Sequence, residues 1–420
     1  CLGEVMNCRD IIRDSHSKTS RLIRQIRAGR PDFSLEGHCP RFSGWELAQI
    51  LMSGVNSDHT DQSLEGLKER LMNGMFVQLQ EKSLKPEFIS YIKENHLLEH
   101  MAIVTDDTMP DAFMERGHLN YLVKKAMHNG LTPEEAIYTA TYTPARRMGL
   151  HDKGSIAPGK IADFVILSDP ASLSIESTWC AGREVYTKGA PWQEEERDTS
   201  FPEAFYHSVH VTPRTSGDFT LTAPIEEGEV ICRILEVQEH TTFVKEGQAV
   251  LSVHHGEIDW EHSPYNLAVV WERHGKNGGY GAALVGGTAM TRGAAATTYA
   301  HDHHNLLVIG QTKKDMMAAA NTVITHQGGY AVACDGVTKA FAPLPIAGIL
   351  SDRPLPVLGK QIQEVHRALT DCGYRSDNVI MSLSTLSLPV SPFFKLTDKG
   401  IIDVRNARIV PLIIEMHEKS

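Results

Sequence analysis

The chain has 420 residues, enough for two or three domains, and 41% of them are apolar or aromatic, so disorder and collagen-like repeats are excluded as whole-chain readings. Its 52 acidic against 41 basic residues give a net charge of −11. That balance argues against nucleic acid or an anionic membrane as a partner, and it leaves a free nucleobase open as a small-molecule substrate. No apolar run approaches the ~18 residues needed to span a bilayer. The seven scattered cysteines contain no Cys-x-x-Cys, so neither a disulfide framework nor a zinc knuckle is supported, and a reduced, cytoplasmic compartment is expected.

In chain order, 21–27 reads as a basic helix and 33–38 as a short segment ending in Gly37-His38-Cys39-Pro40. Ser43 followed by Glu46 has the spacing of a capping box and opens a helix to 51. Residues 64–72 are amphipathic and helical, 75–79 strand-like, 86–95 helical, and 102–107 a short apolar strand ending in acids. Strand, loop and helix thus recur every 20–45 residues or so, the pattern of a parallel α/β fold. The polar residues follow the strands, and in a (β/α)₈ barrel that is the face on which active sites are built.

Helices are expected over 119–129 and 133–148, the second opened by Thr132-Pro133. A turn-rich break at 154–160 precedes short strands at 162–167 and 178–188, and the acidic stretch 192–202 reads as a linker. From 203 the text is a mixed domain, with strands at 229–237, 267–273 and 306–309 and a helix at 315–325. Three parts are expected: 1–150, an α/β barrel region; 151–192, a small β-domain; and 203–420, an α/β C-terminal domain.

Glu4, His38, His59 and Asp106 stand at the ends of successive strand-like stretches, 34, 21 and 47 residues apart. Each step fits one strand-to-strand passage of an α/β barrel, or two for the last, which points all four into one mouth. Two imidazoles and two carboxylates suit Zn, Fe or Mn. Such a site lowers the pKa of a water toward about 7, and Asp106 could pass that water's proton to a leaving group. The spacing alone leaves a plainer reading open, since His and Asp are common at the starts of loops.

The segments Cys1-Leu2-Gly3-Glu4-Val5-Met6-Asn7, Gly37-His38-Cys39-Pro40, Ser57-Asp58-His59 and Thr105-Asp106-Asp107 resemble the strand-end motifs of bacterial adenine deaminases, in the amidohydrolase superfamily. Residues 117–146 and 154–163 resemble the last barrel helices and the return strand of that superfamily's small β-domain. The C-terminal text resembles the same family in its own right, through Trp271-Glu272-Arg273-His274, Ala300-His301-Asp302-His303-His304-Asn305, Gln327-Gly328-Gly329, Leu344-Pro345-Ile346-Ala347-Gly348 and Lys395-Leu396-Thr397-Asp398-Lys399-Gly400.

The resemblance implies a binuclear Mn or Fe centre, with Zn possible, held by Glu4, His38, His59 and Asp106 on barrel strands four, five, six and eight. It implies attack of a metal-activated hydroxide on C6 of adenine, with Asp106 as proton shuttle and hypoxanthine and ammonia as products. Thr60, Ser83, Asp107, His301 and Asp302 are expected near the substrate, and a homo-oligomer is expected. Two positions depart from the family pattern. Thr60 stands where a Glu follows the sixth-strand His, and Gln80-Glu81-Lys82-Ser83 stands where an Arg-containing loop is common. The family's first-strand His-x-His pair is not in this sequence, so an N-terminally truncated chain carrying the C-terminal half of a barrel is expected. The alternatives are an amidohydrolase acting on another aminated heterocycle or a cyclic amide, and a non-catalytic remnant. His255-Gly256-Glu257 and Gly279-Tyr280-Gly281 read as chance matches to deaminase and dinucleotide motifs. Met316-Met317 reads as core.

Overall fold

A computed structural model describes residues 1–191, 200–239, 241, 243–376 and 378–419. The chain divides into two compact units, Cys1–Glu196 and Arg197–Ser420. Most of the expected linker, 192–199, lies outside the described residues.

The first unit begins with β1 (Leu2–Val5), α1 (Cys8–Arg13), α2 (Lys18–Gly29) and β2 (Leu35–Gly37), and β1 and β2 pair in parallel. Then come α3 (Gly44–Met52), β3 (Ser57–Asp58), α4 (Leu64–Met72), β4 (Phe76–Leu79), α5 (Pro86–Glu94) and β5 (Met101–Ile103), with β3, β4 and β5 in one parallel sheet. Gly37 brings β2 against β3, because a Cβ there would lie 2.3 Å from the Ser57 carbonyl oxygen. Leu35, Leu47, Ile50 and Val55 pack with Cys8 and Cys39 in one core. Leu79, Phe88, Ile92, Ile103 and Leu122 belong to a second. α6 (Pro110–Arg116), α7 (Leu119–His128) and α8 (Pro133–Arg147) follow, and α8 opens with a complete capping box between Thr132 and Glu135. A small antiparallel sheet of β6 (Phe164–Asp169), β7 (Ser174–Cys180) and β8 (Arg183–Thr187) ends the described part.

Two local expectations are corrected. Ser43 is the N-cap of α3, but its side chain makes no cap hydrogen bond. The Gly44 amide instead donates to Glu69 Oε1 at 2.5 Å, a carboxylate brought by α4. The strand expected at 178–188 is two strands, because Ala181 and Gly182 both have positive φ (48° and 77°) and turn the chain back on itself.

The second unit is built on a ten-stranded sheet. Its strands are β9 (Glu227–Val237), β10 (Val244–His254), β11 (Glu257–Ile258), β12 (Asn266–Trp271), β13 (Tyr280–Gly287), β14 (Ala294–Thr297), β15 (Leu306–Gly310), β16 (Gly329–Cys334) and β17 (Val337–Pro343), joined by a last strand near the end of the chain. The order is β11-β10-β9-β13-β12-β15-β14-β16-β17. Helices α9 (Lys313–Thr325), α10 (Leu355–Asp371) and α11 (Val379–Ser384) accompany it, and β18 (Phe394–Thr397), β19 (Gly400–Asp403) and β20 (Arg408–Val410) form a separate antiparallel sheet. The last strand, β21 (Ile413–Glu418), runs antiparallel to the first half of β9, pairing His417 with Glu229. The second half of β9 pairs with β13 in parallel. Met316 is buried in this core and Met317 packs against it. His255 and Gly256 form the turn between β10 and β11, and Gly281 lets β13 pass close to the Thr397 carbonyl. Among the described residues no helix is long and apolar enough to cross a membrane.

Candidate metal centre

Side chains alternate across a strand. In β2, Leu35 and Gly37 face the core, which turns Glu36 and His38 to the other side. The same alternation pairs Ser57 with His59 after β3, and Gln78 with Gln80 at β4. Hydrogen bonds link these residues laterally. Ser57 Oγ donates to Glu36 Oε2 at 2.5 Å, Gln78 Nε2 donates to the same oxygen at 2.9 Å, and Gln80 Nε2 donates to the His59 carbonyl at 2.7 Å.

Glu4, from β1, completes a tight group on this polar face. Its Oε1 lies 2.5 Å from His38 Nδ1 and 3.0 Å from His59 Nε2. The two imidazole nitrogens are 3.2 Å apart. Burial pushes the Glu4 carboxyl up, but the hydrogen bonds and charges of the two histidines outweigh it and hold the group at about 2. Burial likewise pulls His59 down, while the Glu4 hydrogen bond and the charges of Glu4, Asp106 and Asp58 raise it more. One carboxylate oxygen shared between two imidazoles is a donor set that first-row divalent ions accept, so these residues fit a metal ion. Among the described residues, this is the one group of three or more His, Cys, Asp or Glu side chains whose ligand atoms all lie within 4.8 Å of one another.

Asp106 follows β5 and is exposed, with its Oδ1 accepting the Asp107 amide at 2.9 Å. It stands outside the 4.8 Å group, though its charge reaches His59. Its φ of 54° is a left-handed conformation uncommon outside glycine, of a kind often stored at functional sites. Asp107 beside it is exposed. Thr60 and Ser83 line a separate small cleft with Asp58, Gln62 and Arg70. There the Thr60 hydroxyl lies 2.9 and 3.0 Å from the two Asp58 oxygens, and Ser83 Oγ donates to Asp61 at 3.3 Å. His301 and Asp302 belong to the second unit, in the turn between β14 and β15. The His301 amide donates to Ser384 Oγ, and its ring packs beside Tyr299 and His304.

Asp58 and Arg70 were missed as site residues. Both side chains are 1% exposed and paired at 2.5 Å. Arg70 falls next to Leu71 and three residues after Leu67, on the buried face of α4. An arginine on the apolar stripe of an amphipathic helix is the signal that marks it.

The sequence pattern described as amidohydrolase family matches residues 49–185, and the one described as adenine deaminase C-terminal domain matches 241–408. The chain is therefore a hydrolase of the amidohydrolase superfamily, a generally metal-dependent class acting on C–N bonds. An adenine deaminase 2 of Shouchella clausii is 44% identical over 420 residues, covering 100% of this chain and 73% of that protein. An adenine deaminase of Clostridium perfringens is 44% identical over 415 residues, covering 98% and 72%. The chain belongs to the adenine deaminases. A solved beta-aspartyl dipeptidase of Fervidobacterium islandicum overlaps 46% of this chain and 64% of its own, at a TM-score of 0.35 and 21% identity, a likeness that carries nothing about the site.

Proposed function

We propose that this protein hydrolyses adenine to hypoxanthine and ammonia, with Glu4, His38 and His59 holding a divalent metal and Asp106 moving the proton. Family membership supports the substrate, and the shared Glu4 oxygen between His38 Nδ1 and His59 Nε2 is the observation that carries the metal site. When bound, a divalent ion supplies Lewis acidity and lowers the pKa of a water toward about 7. Three donors suffice for one ion, and a binuclear Mn or Fe centre takes ligands beyond this set.

In the reaction, water oxygen bonds to C6 of the purine, the C6–N bond breaks, and the amino group leaves as ammonia. The Asp106 carboxylate accepts a proton from the attacking water and returns it to the departing nitrogen, so atoms and charge balance. An exposed carboxylate on a loop suits this work better than a fixed ligand does. We read β1 to β5 as barrel strands four to eight, 151–192 as the small β-domain and 203–420 as the adenine-deaminase-type C-terminal domain. All seven cysteines are free, in keeping with a reduced cytoplasm.

The test is ammonia release, and the change in absorbance from adenine to hypoxanthine, by metal-loaded protein. Turnover should be lost, together with the ion, in Glu4→Gln and His59→Ala. Metal binding that ignores both substitutions would overturn the metal site. Ammonia from another aminated heterocycle, but not from adenine, would overturn the substrate.

A further inference from the structure

We infer that Asp58 and Arg70, neither hydrogen-bonded to a candidate ligand atom, are positioning residues that fix the spacing of His38 and His59. The inference rests on the proposed metal site. Asp58 Oδ1 accepts the amide of Cys39 at 3.1 Å and the amide of Thr60 at 3.1 Å. Those are the residues directly after His38 and His59, so one carboxylate oxygen holds the backbone behind both histidines. Its other oxygen accepts Arg70 Nε at 2.5 Å and Gln62 Nε2 at 3.2 Å.

Arg70 closes the clamp from α4. Its Nη2 donates to the Cys39 carbonyl at 2.5 Å and to the Phe42 carbonyl at 3.4 Å, and its Nη1 donates to the Gly66 carbonyl at 3.1 Å. Cys39 is therefore gripped at its amide by Asp58 and at its carbonyl by Arg70. β2 and β3 are only three and two residues long. Strands that short make few ladder bonds, so the register of their terminal histidines depends on this buried pair. Thr60 belongs to the same clamp, since both its hydroxyl and its amide face Asp58.

The experiment titrates Mn²⁺ alone into the full chain after chelation, beside far-UV circular dichroism and adenine kinetics. Asp58→Asn turns one accepting oxygen into a donor, so it cannot keep all its present bonds. Mn²⁺ affinity should fall about 10–100-fold, the range for partners behind a ligand, with the fold intact. kcat should fall in step, while KM for adenine stays near the wild-type value. Arg70→Lys keeps the charge but loses the planar fork, so it should not rescue. Thr60→Val removes one donor and should cost only a few-fold, which keeps the test decisive should Asp58→Asn fail to fold. Folded variants that bind Mn²⁺ as the wild type does would overturn the inference. If Glu4→Gln and His59→Ala also leave Mn²⁺ binding untouched, the metal site itself is wrong, a distinguishable result.

Discussion

In the proposed reaction Asp106 is the residue on which the proton transfer turns, whether or not it also ligates the ion. It is exposed, outside the group formed by Glu4, His38 and His59, and close enough to act on His59 by charge. Asp106→Asn keeps the shape and removes the base, and asparagine tolerates the left-handed backbone. We expect kcat to drop about 10²–10⁴-fold, with metal content by elemental analysis unchanged. Loss of the metal in this variant would make Asp106 a ligand instead. Glu4, His38 and His59 were legible because strand ends recur at barrel spacing and the types suit a divalent ion. Asp58 was not, because one acid at a strand end looks like any other, and Arg70 was passed over because a charge on a helix normally reads as solvated, although it falls on the apolar stripe of α4. The hydrogen bond of the Thr60 hydroxyl to the Asp58 carboxylate was not legible either, since two residues that close in the sequence show their contact only in the fold.

At the scale of elements, Gly37 decides how closely two short strands approach. A methyl there would lie 2.3 Å from the Ser57 carbonyl and 2.8 Å from Val55 Cγ1, both in a packed interior. Gly37→Ala should destabilise the first unit by about 1–3 kcal/mol, the usual cost of overpacking, read as a lower midpoint in urea. An unchanged midpoint would mean that β2 and β3 can separate freely. The longer helices of the first unit were legible from the 3.6-residue period, and α4 begins and ends where the pattern does, whereas the short α1 and α6 were not legible. Much of the second unit's sheet was not. β14 is Ala294-Ala295-Ala296-Thr297, and alanine is depleted in strands. Its place between β15 and β16 is set by neighbours that arrive later in the chain, which local pattern cannot carry. β12 and β15 were visible because a wholly buried strand reads as a continuous apolar run.

At the scale of the molecule, two buried groups predict that the second unit loses stability in acid. Lys395 is fully buried, its Nζ donates to the Thr385 carbonyl, and burial pulls its amine down to about 7. His304 is pulled to about 4, first by burial and then by the charges of His301 and Arg273. Both groups have ordinary values when unfolded, so the unfolded chain binds more protons from about 4 to 6.5 and from about 7 to 10.5. Stability therefore rises with pH across both windows. Calorimetry at pH 5, 7 and 9 should show the second unit melting higher at each step. Lys395→Met should flatten the upper window and raise stability at pH 7, since even half of that shift is worth about 2 kcal/mol. A melting temperature that falls from pH 7 to 9 in the wild type would contradict the assignment.

The pairing of β21 with β9 has a further consequence, in time. Glu229 and its partner His417 are 188 residues apart. At ribosomal rates of about 5–20 residues per second, the first half of β9 waits roughly 10–40 s for its neighbour to be translated. Through that interval the nascent chain carries an unpaired strand edge of the kind that templates aggregation. Until β21 has been made, the segment that needs shielding is Gly228–Cys232.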